Sequence, residues 1–219
     1  DNGDNLISKK PMEKKEKGLW KVTINKDLEN RYYTYEVCIE NLEEVSHKTH
    51  ENDVDYRYTN EDKSVTFETP DIYGKACGAN GIRTMIIDMK KTNPRDWEND
   101  SKPEFNDVLD AIIYEVHVRD FSSDLCCGMK NKKKYLAFTE EGTVNEYDMA
   151  TGIDHLKDLG VTHVHLLPIQ DYATVNEDEK EPKLYNWGYD PLNYYIPEGS
   201  YATDSHDGKA RVREFKELV

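Results

Sequence analysis

The sequence predicts a multidomain chain of two unlike parts, antiparallel β-structure over residues 1–100 and strand–helix units over 101–219. Two observations carry this. Apolar residues in the first part alternate with polar ones at the period of a half-buried strand, and in the second part short apolar runs take turns with stripes spaced for helices.

In the first part, Trp20, Val22 and Ile24 alternate with Lys21 and Thr23, and Tyr33, Tyr35, Val37 and Ile39 alternate with Thr34, Glu36 and Cys38. Residues 41–60 are polar and read as a loop. Two further β-like runs follow at 64–68 and 84–89, separated by Gly74, Gly78 and Gly81. A small antiparallel β-sandwich fits these elements, with residues 94–103 as its linker.

The second part opens with the mostly apolar run 111–119, suited to a buried parallel strand. Residues 147–159 place Met149, Ile153, Leu156 and Leu159 on one helical stripe that Gly160 ends, and 162–169 is a second buried strand. Beyond a long irregular stretch, Asp207 caps a second helix marked by Val212, Phe215, Leu218 and Val219. Two strand–helix units cannot close a sheet around themselves, whereas a (β/α)8 barrel holds eight. The expectation is therefore the start of such a barrel, with the last helix running into the chain end.

Composition narrows the function. The chain has 219 residues with 29 Lys and Arg against 44 Asp and Glu, a net charge of −15, the wrong sign for displacing counterions from a phosphate backbone. Nucleic acid is not an expected partner. Nor is a membrane, because no stretch reaches the roughly 20 apolar residues of a span. The compartment stays open, with the cytoplasm favoured over secretion. Cys38, Cys77, Cys126 and Cys127 lack C-x-x-C spacing, which speaks against a disulfide scaffold and a zinc site, and the adjacent Cys126 and Cys127 are expected as free thiols. No cofactor and no metal is expected.

The segment from Ile169 to His206 is far longer than the usual βα loop of about 2 to 6 residues, and loops of such length are usually functional. It follows the C-terminal end of a strand, the face where barrels place their sites. Tyr185, Asn186, Trp187, Gly188, Tyr189 and Asp190 stand in it, then Tyr194, Tyr195 and Tyr201. Flat aromatic faces stack on the C–H faces of sugar rings, and Asn and Asp hydrogen-bond hydroxyls, which suits a neutral carbohydrate. The same rings could equally pack the loop onto the barrel. Other candidates are weaker. His163 and His165 share a strand face as metal ligands can, but no third ligand is placed to join them, so packing is favoured. Asp178 and Glu179 read as solvated surface, Lys132 to Lys134 as a solvated charge run, and Glu115 with His117 as a strand pattern without catalytic duty.

Tyr185-Asn186-Trp187-Gly188-Tyr189-Asp190-Pro191 matches the signature that distinguishes type I pullulanases within the α-amylase superfamily. The run Ile113-Tyr114-Glu115-Val116-His117-Val118-Arg119-Asp120-Phe121-Ser122 resembles that family's first barrel strand, and Gly160-Val161-Thr162-His163-Val164-His165-Leu166-Leu167-Pro168 its second. Pro197-Glu198-Gly199-Ser200-Tyr201 and Arg213-Glu214-Phe215-Lys216 fit the same pattern. Upstream, Asp71-Ile72-Tyr73-Gly74-Lys75-Ala76 and Lys91-Thr92-Asn93-Pro94 resemble the end of the carbohydrate-binding-module-like β-sandwich that precedes the barrel.

The resemblance implies residues 1–100 as the C-terminal part of that sandwich and 101–219 as the N-terminal part of the catalytic barrel, truncated at both ends. It implies hydrolysis of α-1,6 links in pullulan, amylopectin or glycogen with retention, and an α-glucan as ligand. Retention needs two carboxyl groups about 5 to 5.5 Å apart. In the family these lie on strands beyond the position of Val219, so no catalytic residue is expected in this chain. Tyr189 would be the platform under the sugar and Asp190 its hydrogen-bonding neighbour, with Tyr185, Asn186 and Trp187 shaping the wall. Two other readings stand beside this one: an α-glucan-binding piece without chemistry, and a related isoamylase or glycogen-debranching enzyme, from which the seven-residue signature separates it. The rest of the barrel, as a separate chain, is a further conceivable partner.

Overall fold

The computed structural model describes residues 6–39, 58–59, 64–179 and 184–219. The first strands are short. β1 (Glu13–Lys14) pairs antiparallel with β2 (Trp20–Lys21), and the predicted alternation stops there, with Val22 and Ile24 outside any strand. Among the described residues no apolar layer covers Trp20, Val22 and Ile24, which are exposed. An apolar alternation without a partner face gains too little burial to extend a ladder.

β3 (Tyr32–Tyr33) and β4 (Tyr35–Ile39) follow, then β5 (Tyr58–Thr59), β6 (Val65–Thr69) and β7 (Thr84–Met85). β4, β6 and β5 form a three-stranded antiparallel sheet with Val37 opposite Phe67 and Ile39 opposite Val65, while β3 pairs β7. Side chains two apart share a face of extended backbone, so Tyr33 and Tyr35 both reach Asp71 Oδ2, at 2.7 and 3.3 Å. Most of the predicted loop 41–60 lies outside the described residues, and β5 falls within it. The run 84–89 is a strand only at its start; by Met89 it has turned into a 3₁₀ helix whose cap, the Asp88 side chain, accepts the Lys90 amide at 3.0 Å. A second 3₁₀ turn, Trp97–Asn99, breaks the predicted linker.

In the second part β8 (Ile113–Val116) and β9 (His163–Leu166) pair in parallel, Ile113 opposite His163 and Val116 opposite Leu166, as the βα pattern predicts. Two expectations fail here. Val118 and Arg119 belong not to the strand but to the one-turn helix α1 (Val118–Phe121). The strands are also not buried: Ile113 is 64 % exposed, and Tyr114 and Val164 are uncovered too. A parallel strand is buried only when layers cover both faces. Here that cover reaches only the C-terminal ends, where Val116 and Leu166 pack against a core of Val118, Tyr135, Phe138, Tyr172, Val175 and Tyr201.

The helix predicted over 147–159 is shorter, α2 (Gly152–Asp158). Asn145 Oδ1 accepts the amides of Tyr147 and Met149, and Asp148 has φ +57°, so this stretch is a turn and both apolar side chains face solvent. Leu156 is buried, and Gly160 at φ +73° closes the helix with its amide on the Lys157 carbonyl and that of Val161 on Leu156, a Schellman ending.

The stretch read as irregular holds an antiparallel hairpin, β10 (Gln170–Tyr172) with β11 (Pro191–Pro197), its register shifted by bulges. α3 (Gly208–Leu218) then runs as predicted, the Asp207 side chain accepting the Lys209 amide at 3.0 Å, with Val212 buried and Phe215 and Leu218 packed on the core. Val219 lies past its end and is exposed. All four cysteines are free, Cys77 and Cys127 buried and the other two exposed. Among the described residues no helix is long and apolar enough to cross a membrane.

Candidate functional site

The five residues singled out in the sequence meet on one loop, above the C-terminal ends of β8 and β9. Gly188 makes this possible. At φ +87° it occupies backbone space costly for any other residue, and a Cβ there would overlap the carbonyl oxygen of Pro168, just after β9. The loop thus lies flat on the end of the strand. Its amide donates to Asn186 Oδ1 at 2.6 Å, closing an Asx turn.

Asn186 points down rather than out. Its side-chain amide donates to Thr174 Oγ1, whose hydroxyl in turn reaches Asp190 Oδ2 at 3.4 Å, and its carbonyl oxygen is met by His117 Nε2 at 2.9 Å. His117 is 4 % exposed at the junction of β8 and α1. The Arg119 amide donates to its Nδ1 at 3.1 Å, which leaves Nε2 as the nitrogen that carries a proton, facing both the Asn186 carbonyl and, at 3.1 Å, the Tyr201 hydroxyl.

Tyr185 stacks on this imidazole, centroids 4.8 Å apart and planes 27° from parallel, and donates its hydroxyl to Asp120 Oδ2 at 2.8 Å. Burial and the Asp120 carboxylate push its phenol up to about 12, so it remains a neutral donor. Trp187 meets Tyr185 edge to face at 5.2 Å, and Arg119 braces the segment through the Leu184 carbonyl at 3.0 Å.

What remains free is the aromatic upper surface. Tyr189 is 71 % exposed, Trp187 60 % and Tyr185 40 %, while Asp190 also faces solvent. No hydrogen bond holds the Tyr189 ring among the described residues. The arrangement offers flat apolar faces over a rigid base, with one carboxylate beside them, which is the chemistry for stacking and hydrogen-bonding a sugar.

The other sequence candidates lie elsewhere. His163 and His165 are exposed rather than packed within the fold: His163 lies edge-on to Phe105 at 4.8 Å, and His165 stands 3.6 Å from Glu115. Asp178 and Glu179 are solvated, Asp178 pairing with His206 at 2.9 Å. Lys134 departs from its expected solvated place: its ammonium donates to the Ser200 and Ala202 carbonyls, both at 2.8 Å, and burial lowers its pKa.

Sequence reasoning missed a second constellation. Asp171, Glu177 and Glu198 are buried close together, near enough to hold a metal ion, but a side chain of α3 already stands among them. Arg211 Nη1 lies 2.8 Å from Asp171 Oδ1 and Nη2 2.9 Å from Glu177 Oε2, so a guanidinium supplies the counter-charge. Arg211 also donates to the Gly78 carbonyl at 3.2 Å, and Asn193 to that of Gly81 at 3.0 Å, tying the early β-rich part to the βα part. Burial drives Asp171 up to about 6 against the pull of Arg211, with Glu177 adding repulsion, and raises Glu198 well above the carboxylate range. The signal was absent because these residues share no motif.

No family model matches the chain. The pullulanase of Bacillus subtilis (strain 168) is 38 % identical over 208 residues, covering 95 % of the chain and 25 % of that protein. Pullulanase from Paenibacillus barengoltzii, solved in complex with maltohexaose and alpha-cyclodextrin, superposes with a TM-score of 0.84 at 42 % identity over 99 % of the chain and 30 % of its own. That from Bacillus acidopullulyticus gives 0.78 at 41 % over 95 % and 22 %. The match is thus nearly complete on one side only: the chain spans about a quarter of the relatives' length.

Relatives named pullulanase, with a rice isoamylase among them, make the chain similar to the glycoside hydrolases of the α-amylase superfamily. The pullulanases it matches are 38–42 % identical to it over almost every residue of the chain, the similarity that a fragment of a type I pullulanase shows.

Proposed function

We propose that the chain forms part of the substrate-binding wall of a pullulanase-type enzyme that hydrolyses α-1,6-glucosidic links in pullulan, amylopectin or glycogen with retention. In this reading residues 1–100 are the C-terminal part of a carbohydrate-binding-module-like β-sandwich, and 101–219 hold the first two βα units of the catalytic (β/α)8 barrel. The observation that carries it is the exposed Tyr189 ring on a loop fixed from below by Gly188 and His117. Tyr189 stacks on the sugar at the cleavage point, Asp190 hydrogen-bonds it, and Tyr185, Asn186 and Trp187 shape the wall. The maltohexaose and alpha-cyclodextrin bound by the Paenibacillus barengoltzii relative support an α-glucan as ligand.

The retaining mechanism asks for a nucleophilic carboxylate and a second carboxyl group flanking the scissile bond. At the loop, Asp120 accepts the Tyr185 hydroxyl and Asp190 leans on Thr174, while the buried Asp171 and Glu177 pair with Arg211 and Glu198 accepts backbone amides. In this proposal the catalytic pair comes from outside these residues. The 219-residue chain alone therefore releases no reducing ends from pullulan, whereas the whole enzyme does. Turnover by the purified chain above that of a mock preparation would refute the assignment of the catalytic pair, and inactivity of the whole enzyme on pullulan would refute the function.

A further inference from the structure

We infer that His117 is a positioning residue that sets the height and tilt of the Tyr185–Asp190 wall through one directed hydrogen bond. This rests on the reading of that loop as the sugar-binding wall. In the sequence the residue reads, with Glu115, only as part of a strand pattern without catalytic duty.

The geometry is specific. His117 sits where β8 ends and α1 begins, and its ring makes two kinds of contact on its two nitrogens. Nδ1 accepts the Arg119 amide and so caps α1; Nε2 donates to the carbonyl oxygen of Asn186, the residue that also closes the turn onto Gly188. The ring face carries Tyr185. A buried donor aimed at a loop carbonyl fixes where that peptide plane can lie, because leaving either partner unpaired out of water costs more than the bond itself gains. Asn186 stands between Tyr185 and Trp187, three residues before Tyr189. Rotation of its peptide would tilt the aromatic faces that meet the ligand. Tyr201, packed edge-on to the imidazole at 5.7 Å, closes the other side, and Tyr172 donates to its hydroxyl at 3.1 Å. The imidazole is therefore held on every side, and its hold on the loop is rigid.

The two nitrogens can be separated by substitution. Gln carries an amide nitrogen at about the reach of Nε2, and Asn carries an oxygen at about the reach of Nδ1, the geometry of a helix cap. His117→Gln keeps the donor to Asn186 and gives up the cap; His117→Asn keeps the cap and gives up the donor. Both lose the ring equally, so a role in packing alone predicts the same result for both.

The test is hydrogen–deuterium exchange of the 184–190 peptide and of the Arg119 amide, with melting temperature and kcat/KM on pullulan, for the whole enzyme and both variants. The expected result is a double dissociation. His117→Asn speeds exchange in 184–190 about tenfold, as loss of one hydrogen bond does, and lowers kcat/KM on the order of 100-fold, as a displaced binding surface can, with Arg119 still protected. His117→Gln, which loses the ring under Tyr185 but keeps the donor, disturbs 184–190 exchange and kcat/KM severalfold less than His117→Asn does, while Arg119 exchanges faster. Equal effects of both variants on the loop, or unchanged loop exchange in His117→Asn, would overturn the inference. An enzyme inactive on pullulan would sink the proposed function, and the exchange comparison would still decide the role of His117.

Discussion

The Tyr185–Asp190 loop and the Arg211 cluster are built from similarly chosen side chains and used in opposite ways. In the loop, polar groups point inward to fix a backbone and aromatic rings are left in solvent. In the cluster, one cation and three acids are withdrawn from water: Arg211 pairs with Asp171 and Glu177, and Glu198 accepts the Tyr172 and Ser200 amides. A group meant for an external ligand must stay exposed, and its cost in folding is small. A group meant to join distant segments must be desolvated, and its removal is expensive. Stability should therefore reside in the cluster and ligand affinity in the loop.

The largest effect expected is at the cluster. Arg211→Met strands buried carboxylates without a counter-charge and should destabilise the fold by about 3–5 kcal/mol, measured as a drop in the denaturant midpoint. A loss under about 1 kcal/mol, the range of a surface pair, would erase the contrast between the two regions.

At the loop, Gly188→Ala should cost roughly 1–3 kcal/mol, since the new methyl meets the Pro168 carbonyl in a left-handed backbone. That cost should appear as a displaced loop and weaker binding of maltooligosaccharides; unchanged binding would show that the flat seat on Pro168 is dispensable.

The smallest effect is a slope with pH. Asp171 is raised from 3.8 to about 6 by burial first, so the folded state keeps its proton where the unfolded chain has released it. Its contribution is full below about pH 4 and is lost as pH rises through about 6. Between these values Asp171→Asn should make the fall in unfolding free energy with rising pH shallower than in wild type. Parallel slopes would remove Asp171 from the account, whatever the offset between the curves.

How much of this was legible follows from which forces are local. Asp207 capping α3 and Gly160 ending α2 act on their immediate neighbours, so both helix ends could be read. The parallel pairing of β8 with β9 followed from the strand–helix order. Tyr147 and Met149 were misread because the helical stripe ignores the Asn145 side chain, which captures their amides for a turn. The β10–β11 hairpin escaped notice because its bulges break the period of two. The motif at Tyr185–Pro191 marked the loop but not what holds it: His117 is 69 positions away from Asn186, and Arg211 is 133 from Gly78. Such partners are visible only once the chain has folded.

The central claim, that the exposed ring of Tyr189 serves ligand rather than fold, is tested most directly by Tyr189→Ala and Tyr189→Phe in the whole enzyme, reading kcat/KM on pullulan beside the melting temperature. Loss of the stacking face should remove roughly 2–4 kcal/mol of transition-state stabilisation, on the order of 30- to 1000-fold in kcat/KM, with an unchanged melting temperature, while Phe retains most of the activity. A Tyr189→Ala enzyme that melts earlier yet turns over at the wild-type rate would contradict the account.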